Sequence, residues 1–242
     1  MNTSQVLLEN DLDSLLDFVA EKYEVAFENV VVGDHQLQIL QIVDLGKYID
    51  RLAEESPKNI DLPFWAKIWP ASILLSYYMT SSSMDQGGRH VLEIGCGTGL
   101  SGLFAAARGF NVTLSDNNLE ALVFSKINIL KNNLQDRACV LQADFSKDRL
   151  SQKFDYIIGS EVAYIDSLYR GLIKFLIFHL KADPCSEIIL AGDYRRHPKK
   201  FFSGAQKEFH ISQKNIGYKG VDSPGHDERF LCAIYRMKPK KI

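Results

Sequence analysis

The chain has 242 residues, which fits one large domain or one domain with an extension. Its composition is that of a folded protein, with 46% hydrophobic and 24% charged residues, and its formal net charge of −2 gives no overall field that would attract nucleic acid or acidic lipid. The N-terminal residues show no basic segment before an apolar core, and no apolar run approaches the ~20 residues of a membrane helix. We therefore expect neither a signal peptide nor a membrane span.

The cysteines and histidines indicate no disulfide framework and no metal site. Cys96, Cys139, Cys185 and Cys232 are widely spaced and form no C-x-x-C pair, which is typical of reduced thiols in a cytosolic protein. The six histidines show neither H-x-x-x-H nor H-E-x-x-H spacing, so we predict no bound metal. We expect a cytoplasmic protein, and we expect it to be a monomer.

The first quarter of the chain predicts two helices with a hairpin between them. Apolar residues at helical spacing, after an aspartate, indicate an amphipathic helix over residues 10–22. Two β-rich segments around a Gly-Asp turn indicate a hairpin over 25–44. A helix with mixed charges over 43–55 and a turn at 56–59 complete this part.

A segment rich in aromatic residues, L-P-F-W-A-K-I-W-P, opens the main domain. We predict that residues 1–60 form an extension that caps the core or faces the substrate, and that residues 61–242 form the main domain. The segment holds both tryptophans, Trp65 and Trp69, which either anchor the extension or face a ligand. An apolar helix over 71–80 follows.

From residue 89 onward, strands and helices alternate. Strands are predicted at 90–94, 111–115, 138–142, 154–159 and 187–191, helices at 100–108, 118–132, 167–180 and 198–208, and closing strands at 209–216 and 230–235. This alternation indicates βαβ units around a buried sheet. The predicted fold class is α/β: a doubly wound, mostly parallel, seven-stranded Rossmann-like sheet with an N-terminal α+β extension.

Acidic side chains stand at or near the ends of five predicted strands. In a parallel sheet, ligands bind beyond the carboxyl ends of the strands, near the point where the strand order reverses. The acids at these positions are Glu93, Asp116, Asp144, Glu161 and Asp193. They are therefore the first candidates for functional residues.

A glycine run follows the first of these strands. Gly95, Gly97 and Gly99 lie between a strand and a helix, where glycine lets the backbone approach a ligand and the helix start offers free N–H groups. A G-x-G-x-x-G match begins at Gly97, and Asp116 lies where an acid that binds a ribose would, so NAD is a candidate ligand. Glu93, however, would repel a pyrophosphate and suits a ligand that carries a cation.

The sequence from Glu93 to Gly99, E-I-G-C-G-T-G, resembles the first motif of the seven-strand, class I S-adenosylmethionine-dependent methyltransferases. The resemblance implies that Glu93 lies near the amino-acid end of the cofactor and that the backbone of Gly95, Gly97 and Gly99 lies against it. It also implies that Asp116 takes both ribose hydroxyls, since a carboxylate can accept two hydrogen bonds from vicinal hydroxyl groups.

The same resemblance extends to the next strand ends. Ala143-Asp144-Phe145 is similar to the segment in which the acid faces the adenine amino group and its apolar neighbour lies against the ring. Asn117 and Ser160, each beside one of the strand-end acids, are implied to contact the cofactor as well. S-adenosylmethionine is therefore the expected cofactor.

Two further segments resemble one group, the non-SET protein lysine methyltransferases. The segment at 62–70 is similar to the P-[FY]-W-x-x-x-W-P pattern of that group, in which the second tryptophan, here Trp69, lies against the cofactor. The segment at 160–164, S-E-V-A-Y, is similar to the group's D-x-x-Y signature, with Glu161 in place of aspartate and with Tyr164 retained. The resemblance thus implies that Glu161 and Tyr164 are the catalytic pair and that a protein lysine is the acceptor.

Such an activity needs mainly the alignment of two reactants. A well-oriented pair of reactants can gain ~7–11 kcal/mol of barrier lowering. A lysine has a reference pKa of ~10.4 and must lose its proton to attack, and desolvation in an aromatic-walled channel lowers that pKa. Glu161 would orient the amine or guide the ammonium, and Tyr164 would form a wall and a hydrogen bond. We assign no dedicated general base.

Three other functions stay open from the sequence: an N-methyltransferase of a small amine or pyridine-like molecule, a cofactor-binding protein without activity, and an NAD-dependent oxidoreductase. The basic run at 195–200 is either a solvated loop or a docking site for an acidic partner. No N/D-P-P-Y sequence follows the fourth strand, so we expect no nucleic-acid substrate.

Overall fold

A computed structural model describes residues 3–55, 62–223 and 226–240, and the statements below concern those residues. The turn predicted at 56–59 lies outside them. Within the described ranges, no helix is both long and apolar enough to cross a membrane.

The N-terminal part contains the two helices and the hairpin predicted for it, and a further helix of 4 residues that was not predicted. Its elements are α1 (Thr3–Val6), α2 (Leu12–Ala20), β1 (Val25–Val32), β2 (His35–Ile42) and α3 (Leu45–Glu55). Asp11 caps α2, because its carboxylate accepts the Ser14 N–H at 2.9 Å. Strands β1 and β2 pair antiparallel around a two-residue turn, where Gly33 has a φ of +58° that favours glycine.

The rest of the chain alternates as predicted from residue 89 onward. Its elements are α4 (Pro70–Ser81), β3 (His90–Ile94), α5 (Leu100–Ala107), β4 (Asn111–Asp116), α6 (Leu119–Lys131), β5 (Ala138–Gln142), β6 (Tyr156–Ser160), α7 (Tyr169–His179), β7 (Glu187–Asp193), α8 (Lys199–Ala205), β8 (Phe209–Ser223) and β9 (His226–Pro239). Short 3₁₀ turns stand before α4, α7 and α8.

The main sheet has seven strands in the order β5-β4-β3-β6-β7-β9-β8. Strands β3 to β7 run parallel, and β9 and β8 are antiparallel to their neighbours. The chain leaves β3 toward β4 on one side and returns to β6 on the other, so the strand order reverses between β3 and β6. This sheet confirms the predicted fold class and places the expected ligand crevice at the carboxyl ends of β3 and β6.

Apolar side chains fill both faces of the sheet, which explains why the central strands are almost wholly apolar. Successive residues of β3 point to opposite faces: Val91 packs in the core under α4 and α5, and Leu92 packs in the core under α7 and α8. A third core joins α2 and the hairpin to α6 through Leu15, Leu40 and Phe124. The N-terminal extension therefore shares a core with the main domain.

The main difference from the sequence prediction concerns the last two strands. They were predicted at 209–216 and 230–235, but β8 and β9 pair over most of their length, from Phe209–Pro239 to Ser223–His226. The added residues are rich in glycine and charge and lack the alternation that predicts a half-buried strand. These residues are extended because each strand forms backbone hydrogen bonds with the other, and their own sequence pattern does not predict a strand. The other predicted boundaries differ from those of the structure by at most three residues.

Candidate active site

The loop between β3 and α5 is built on three glycines in the left-handed region. Gly95, Gly97 and Gly99 have φ values of +58°, +54° and +83°. Side chains are excluded there for a second reason as well, because a Cβ on Gly97 would lie 2.6 Å from the carbonyl oxygen of Trp65. The segment before α4 thus lies directly on the loop, and only glycine permits this approach.

Two buried carboxylates hold this loop from below. Glu93, which is 2% exposed, accepts the Gly102 N–H at 2.8 Å, and its burial raises its pKa to about 8. Asp116 accepts the Gly97 N–H at 3.0 Å and the Asn118 N–H at 2.9 Å. Burial raises the pKa of Asp116 too, against the effect of these bonds. Glu93 therefore faces the first turn of α5 here, and its predicted contact with a cofactor stays a prediction.

Two polar side chains of α6 that the sequence interpretation missed also tie the loop down. Ser125 donates to the carbonyl of Gly97 at 2.8 Å. Asn128 donates to the carbonyl of Thr98 at 3.0 Å and accepts the N–H of Leu40 in β2 at 2.7 Å.

The side chain of Asn128 is therefore buried and joins the hairpin to the loop. The available signal was its position three residues after Ser125 on an otherwise apolar helix face.

The loop after β5 closes the crevice on one side. A Cβ on Gly95 would lie 3.7 Å from the ring of Phe145 and 3.1 Å from Val162, so the loops after β3, β5 and β6 meet here. Asp144 is partly buried, but hydrogen bonds from Lys147 at 2.7 Å and from the Ser146 N–H at 2.8 Å hold its pKa below the usual value. Phe145 therefore stands beside the glycine loop, as an adenine-stacking residue would.

The two tryptophans have different surroundings. Trp65 packs against Phe124 with ring centroids 5.0 Å apart and against Tyr23 at 6.1 Å, so it anchors the extension to α6. Trp69 is half-buried, its Nε1 donates to the carbonyl of Phe64 at 3.0 Å, and it stands immediately before α4. Trp65 therefore anchors the extension, and the contact of Trp69 with the cofactor stays a prediction.

Glu161 follows β6 in a strained conformation. Its φ is +53°, in the left-handed region that residues other than glycine and asparagine rarely adopt. Such backbone strain costs on the order of 1–3 kcal/mol. Its backbone N–H donates to the carbonyl of Ala191 at 2.9 Å, and its carboxylate accepts the Asp193 N–H at 2.7 Å. Strain of this kind is concentrated at functional sites, and here the end of β7 maintains it.

A cleft of about 520 Å³ opens beside this carboxylate. The cleft is lined by Glu161 and Tyr164, and further along by Tyr169, Asp193, Arg196 and Tyr235. Burial raises the pKa of Glu161, while the Asp193 N–H and the positive charge of Arg196 act in the opposite direction. Tyr164 is 61% exposed, so the two residues predicted as catalytic border one open cavity.

The remaining predicted residues lie at the same sheet edge. Ser160 is the last residue of β6, and Asn117 follows β4, where its carbonyl accepts from Gln142 at 3.4 Å. Their contacts with a cofactor stay predictions. Among the described residues, no three His, Cys, Asp or Glu side chains are grouped as a metal site.

The site fits an adenosyl ligand. Asp116 has about four acceptor positions on its two oxygens, of which at least two are used by backbone N–H groups, and the rest are open to ribose hydroxyls. The Phe145 ring and the glycine loop offer an apolar face and close backbone approach. A sheet of this strand order with this site defines a class I S-adenosylmethionine-dependent methyltransferase.

Comparison with known proteins identifies the family. The family model described as "Lysine methyltransferase" matches residues 54–208, and the chain belongs to that family. It is similar to the protein N-lysine methyltransferase METTL21A of Mus musculus, with 31% identity across 61% of this chain and 70% of the relative. It is also similar to the calmodulin-lysine N-methyltransferase of Arabidopsis thaliana, with 26% identity across 84% of this chain and 67% of the relative.

A solved structure supports the fold independently. The TehB-like methyltransferase of Corynebacterium glutamicum, which is S-adenosylmethionine-dependent, matches 81% of this chain and 98% of its own with a TM-score of 0.51 and 16% identity. At that identity the likeness concerns the fold alone. Membership of a methyltransferase family sets aside the oxidoreductase that the G-x-G-x-x-G match had left open.

Proposed function

We propose that this chain transfers a methyl group from S-adenosylmethionine to the ε-amino group of a lysine in a protein, with the acceptor in the cleft beside Glu161. The observation that carries the proposal is the position of Glu161. Its strained backbone stands at the point where the strand order reverses, next to Val162, which contacts the glycine loop. The two relatives described above are named as lysine methyltransferases of proteins, which supports a protein acceptor.

The donor side is assigned to the residues around the glycine loop. The backbone of Gly95, Gly97 and Gly99 would lie against the cofactor, Asp116 would accept the ribose hydroxyls, and Phe145 would stack on the adenine. Trp69, Glu93, Asn117, Asp144 and Ser160 complete the proposed set. When bound, the cofactor supplies an activated sulfonium methyl group, so the chain has chiefly to align an amine with it.

The acceptor side is assigned to Glu161 and Tyr164. The incoming lysine is an ammonium ion in water, and the carboxylate of Glu161 attracts it and fixes its direction. Leaving water for a cleft walled by Tyr164, Tyr169 and Tyr235 lowers the pKa of the lysine, so the proton passes to solvent before the amine attacks. Tyr164 then limits where the amine can stand.

The test is incubation of the protein with cell lysate and radiolabelled methyl donor, followed by mass spectrometry of labelled material. We expect label on lysines of one or a few proteins, and none when Asp116→Ala replaces the wild type. Label only in small molecules would favour the small-amine methyltransferase, and label on another protein side chain would overturn the lysine acceptor. Tight binding of S-adenosylhomocysteine without any transfer would indicate a cofactor-binding protein without activity.

We also propose that the enzyme works as a cytoplasmic monomer. Its four cysteines are free thiols, two of them exposed, which suits a reducing compartment. Light scattering coupled to gel filtration at micromolar concentration tests the first part, with a dimer mass as the contrary result. Fluorescence microscopy of the tagged full chain tests the second.

A further inference from the structure

Large apolar side chains are exposed in the segments beside the carboxyl edge of the sheet, and one of them, Tyr164, lines the proposed acceptor cleft. They come from the segment before α4, from the loops after β6 and β7, and from β9, and they are Phe64, Tyr164, Ile165, Tyr194 and Leu231. Single exposed apolar residues are normal on a monomer, but a set that rims one functional edge indicates an interaction surface. We call these five residues the apolar rim.

The basic run after β7 adds charge to one side of this rim. Two of its cations are neutralised inside the chain, since Arg195 pairs with Asp193 at 2.7 Å and Lys200 pairs with Asp166 at 2.5 Å. The side chains of Arg196 and Lys199 line the cleft and are exposed, and no hydrogen bond or ion pair joins either side chain to another described residue, although the charge of Arg196 acts on Glu161 and Asp193. These two cations are therefore available to a partner.

The paired strands β8 and β9 extend the surface beyond the sheet. Cys232 of β9 pairs with Asp193 at the end of β7, so residues 226–231 continue past the carboxyl edge, by up to about 20 Å at ~3.4 Å per residue. The base of this ribbon is fixed, because the hydroxyl of Tyr218 donates to the carbonyl of Pro70 at 2.8 Å. A wall of this length is far larger than a small amine requires.

We propose that this edge docks a protein whose acceptor lysine is flanked by acidic side chains. The apolar rim and the base of the ribbon would cover the partner, and Arg196 and Lys199 would pair with carboxylates beside the acceptor. Glu161 would bind the acceptor lysine between these carboxylates, so the site would recognise a lysine that is surrounded by acidic side chains. This proposal rests on the proposed function and specifies its substrate class.

The charge argument is tested with Lys199→Glu and with the matched control Lys174→Glu. Lys174 is an exposed cation of α7 that does not line the cleft, so both variants change the net charge equally. The measured quantity is the initial rate of protein labelling in dialysed lysate at low and at moderate salt. Rim charges act mainly on association and on its salt dependence, so we expect Lys199→Glu to lower the rate about tenfold at low salt and to weaken its salt dependence.

We expect Lys174→Glu to behave as the wild type, and both variants to bind S-adenosylhomocysteine with unchanged affinity in calorimetry. The labelled lysines, located by mass spectrometry, should have more Asp and Glu than Lys and Arg within about 10 Å, which is the reach of a screened charge. Equal rates for the two variants, or labelled lysines in basic surroundings, would overturn the acidic docking while leaving the methyltransferase intact. Absence of any labelled protein would overturn the proposed function itself.

Discussion

The bridge made by Asn128 predicts that the N-terminal hairpin supports the cofactor loop. Asn128→Ala removes the partner of two buried backbone groups, the N–H of Leu40 and the carbonyl of Thr98. An unpaired buried polar group costs ~1–3 kcal/mol, so with two such groups the free energy of unfolding should fall by about 2–6 kcal/mol. Urea denaturation followed by fluorescence measures this loss.

The same substitution should weaken cofactor binding without touching the cofactor. Thr98 stands between two of the loop glycines, and without its tether the loop must be ordered again when a ligand binds. Fixing one residue costs ~1–2 kcal/mol, which corresponds to a rise of about tenfold in the Kd for S-adenosylhomocysteine. Titration calorimetry at a temperature where the variant is fully folded measures this change.

Asn132→Ala is the matched control. Asn132 lies one turn further along α6 and bonds the N–H and carbonyl of Gln38 at 2.9 and 2.8 Å, so it contacts the hairpin but not the loop. Its two bonds to Gln38 are exposed, and its amide also donates to the carbonyl of Asn128 at 2.8 Å, so we expect a loss of at most ~1 kcal/mol and an unchanged Kd. An unchanged Kd for Asn128→Ala, or an equal rise for Asn132→Ala, would refute the coupling between hairpin and loop.

Three further predictions follow from the site and from the core. Asp116→Ala should raise the Kd for S-adenosylhomocysteine at least ~100-fold in calorimetry, since charge-assisted hydrogen bonds contribute ~1.5–3 kcal/mol each; a Kd within tenfold of wild type would remove Asp116 from the ribose. Glu161→Ala and Glu161→Gly should both spare cofactor binding and reduce protein labelling. The glycine variant should be about 1 kcal/mol more stable than the alanine variant in urea denaturation, because only glycine accepts a φ of +53° without strain. Equal stabilities of the two variants would contradict the strain. His179 is buried, its Nε2 accepts the Leu150 N–H at 2.8 Å, and burial holds its pKa below 6.5. As the pH falls, the unfolded chain therefore binds a proton at this histidine before the folded chain does. The stability present above about pH 6.5 should be lost as the pH falls below that value. Urea midpoints between pH 7.5 and pH 5 test this, and His179→Gln should flatten the dependence.

The sequence was sufficient for the sheet and for the place of the acids. Buried parallel strands are apolar on both faces and stand out as short runs, and acids such as Asp116 and Glu161 follow those runs directly. Because parallel strands end at the same edge of a sheet, the shared location of these acids could be predicted from the sequence.

Other features have no signature in a single chain. The left-handed φ of Glu161 is imposed by hydrogen bonds to Ala191 and Asp193, thirty residues or more away in sequence. Asn128 has its partners in Leu40 and Thr98, and the polarity of a side chain does not tell where it bonds. The alternation of β3 places Glu93 on a face of the sheet, but not under the first turn of α5.

These contacts assign different mechanical roles to the two halves of the site. The glycine loop is held by hydrogen bonds to Asp116 of β4 and to Ser125 and Asn128 of α6, and the carbonyl of Trp65 lies close to Gly97. Through Asn128 the hairpin also supports this loop, so residues before the family match at 54 contribute to the proposed donor site. On the acceptor side, Glu161 is fixed by the end of β7, while Tyr164, Arg196 and Lys199 are left exposed. In the proposed function, a donor site held by these bonds would stand beside an open acceptor edge, so that one cofactor geometry would serve a partner selected by its surface.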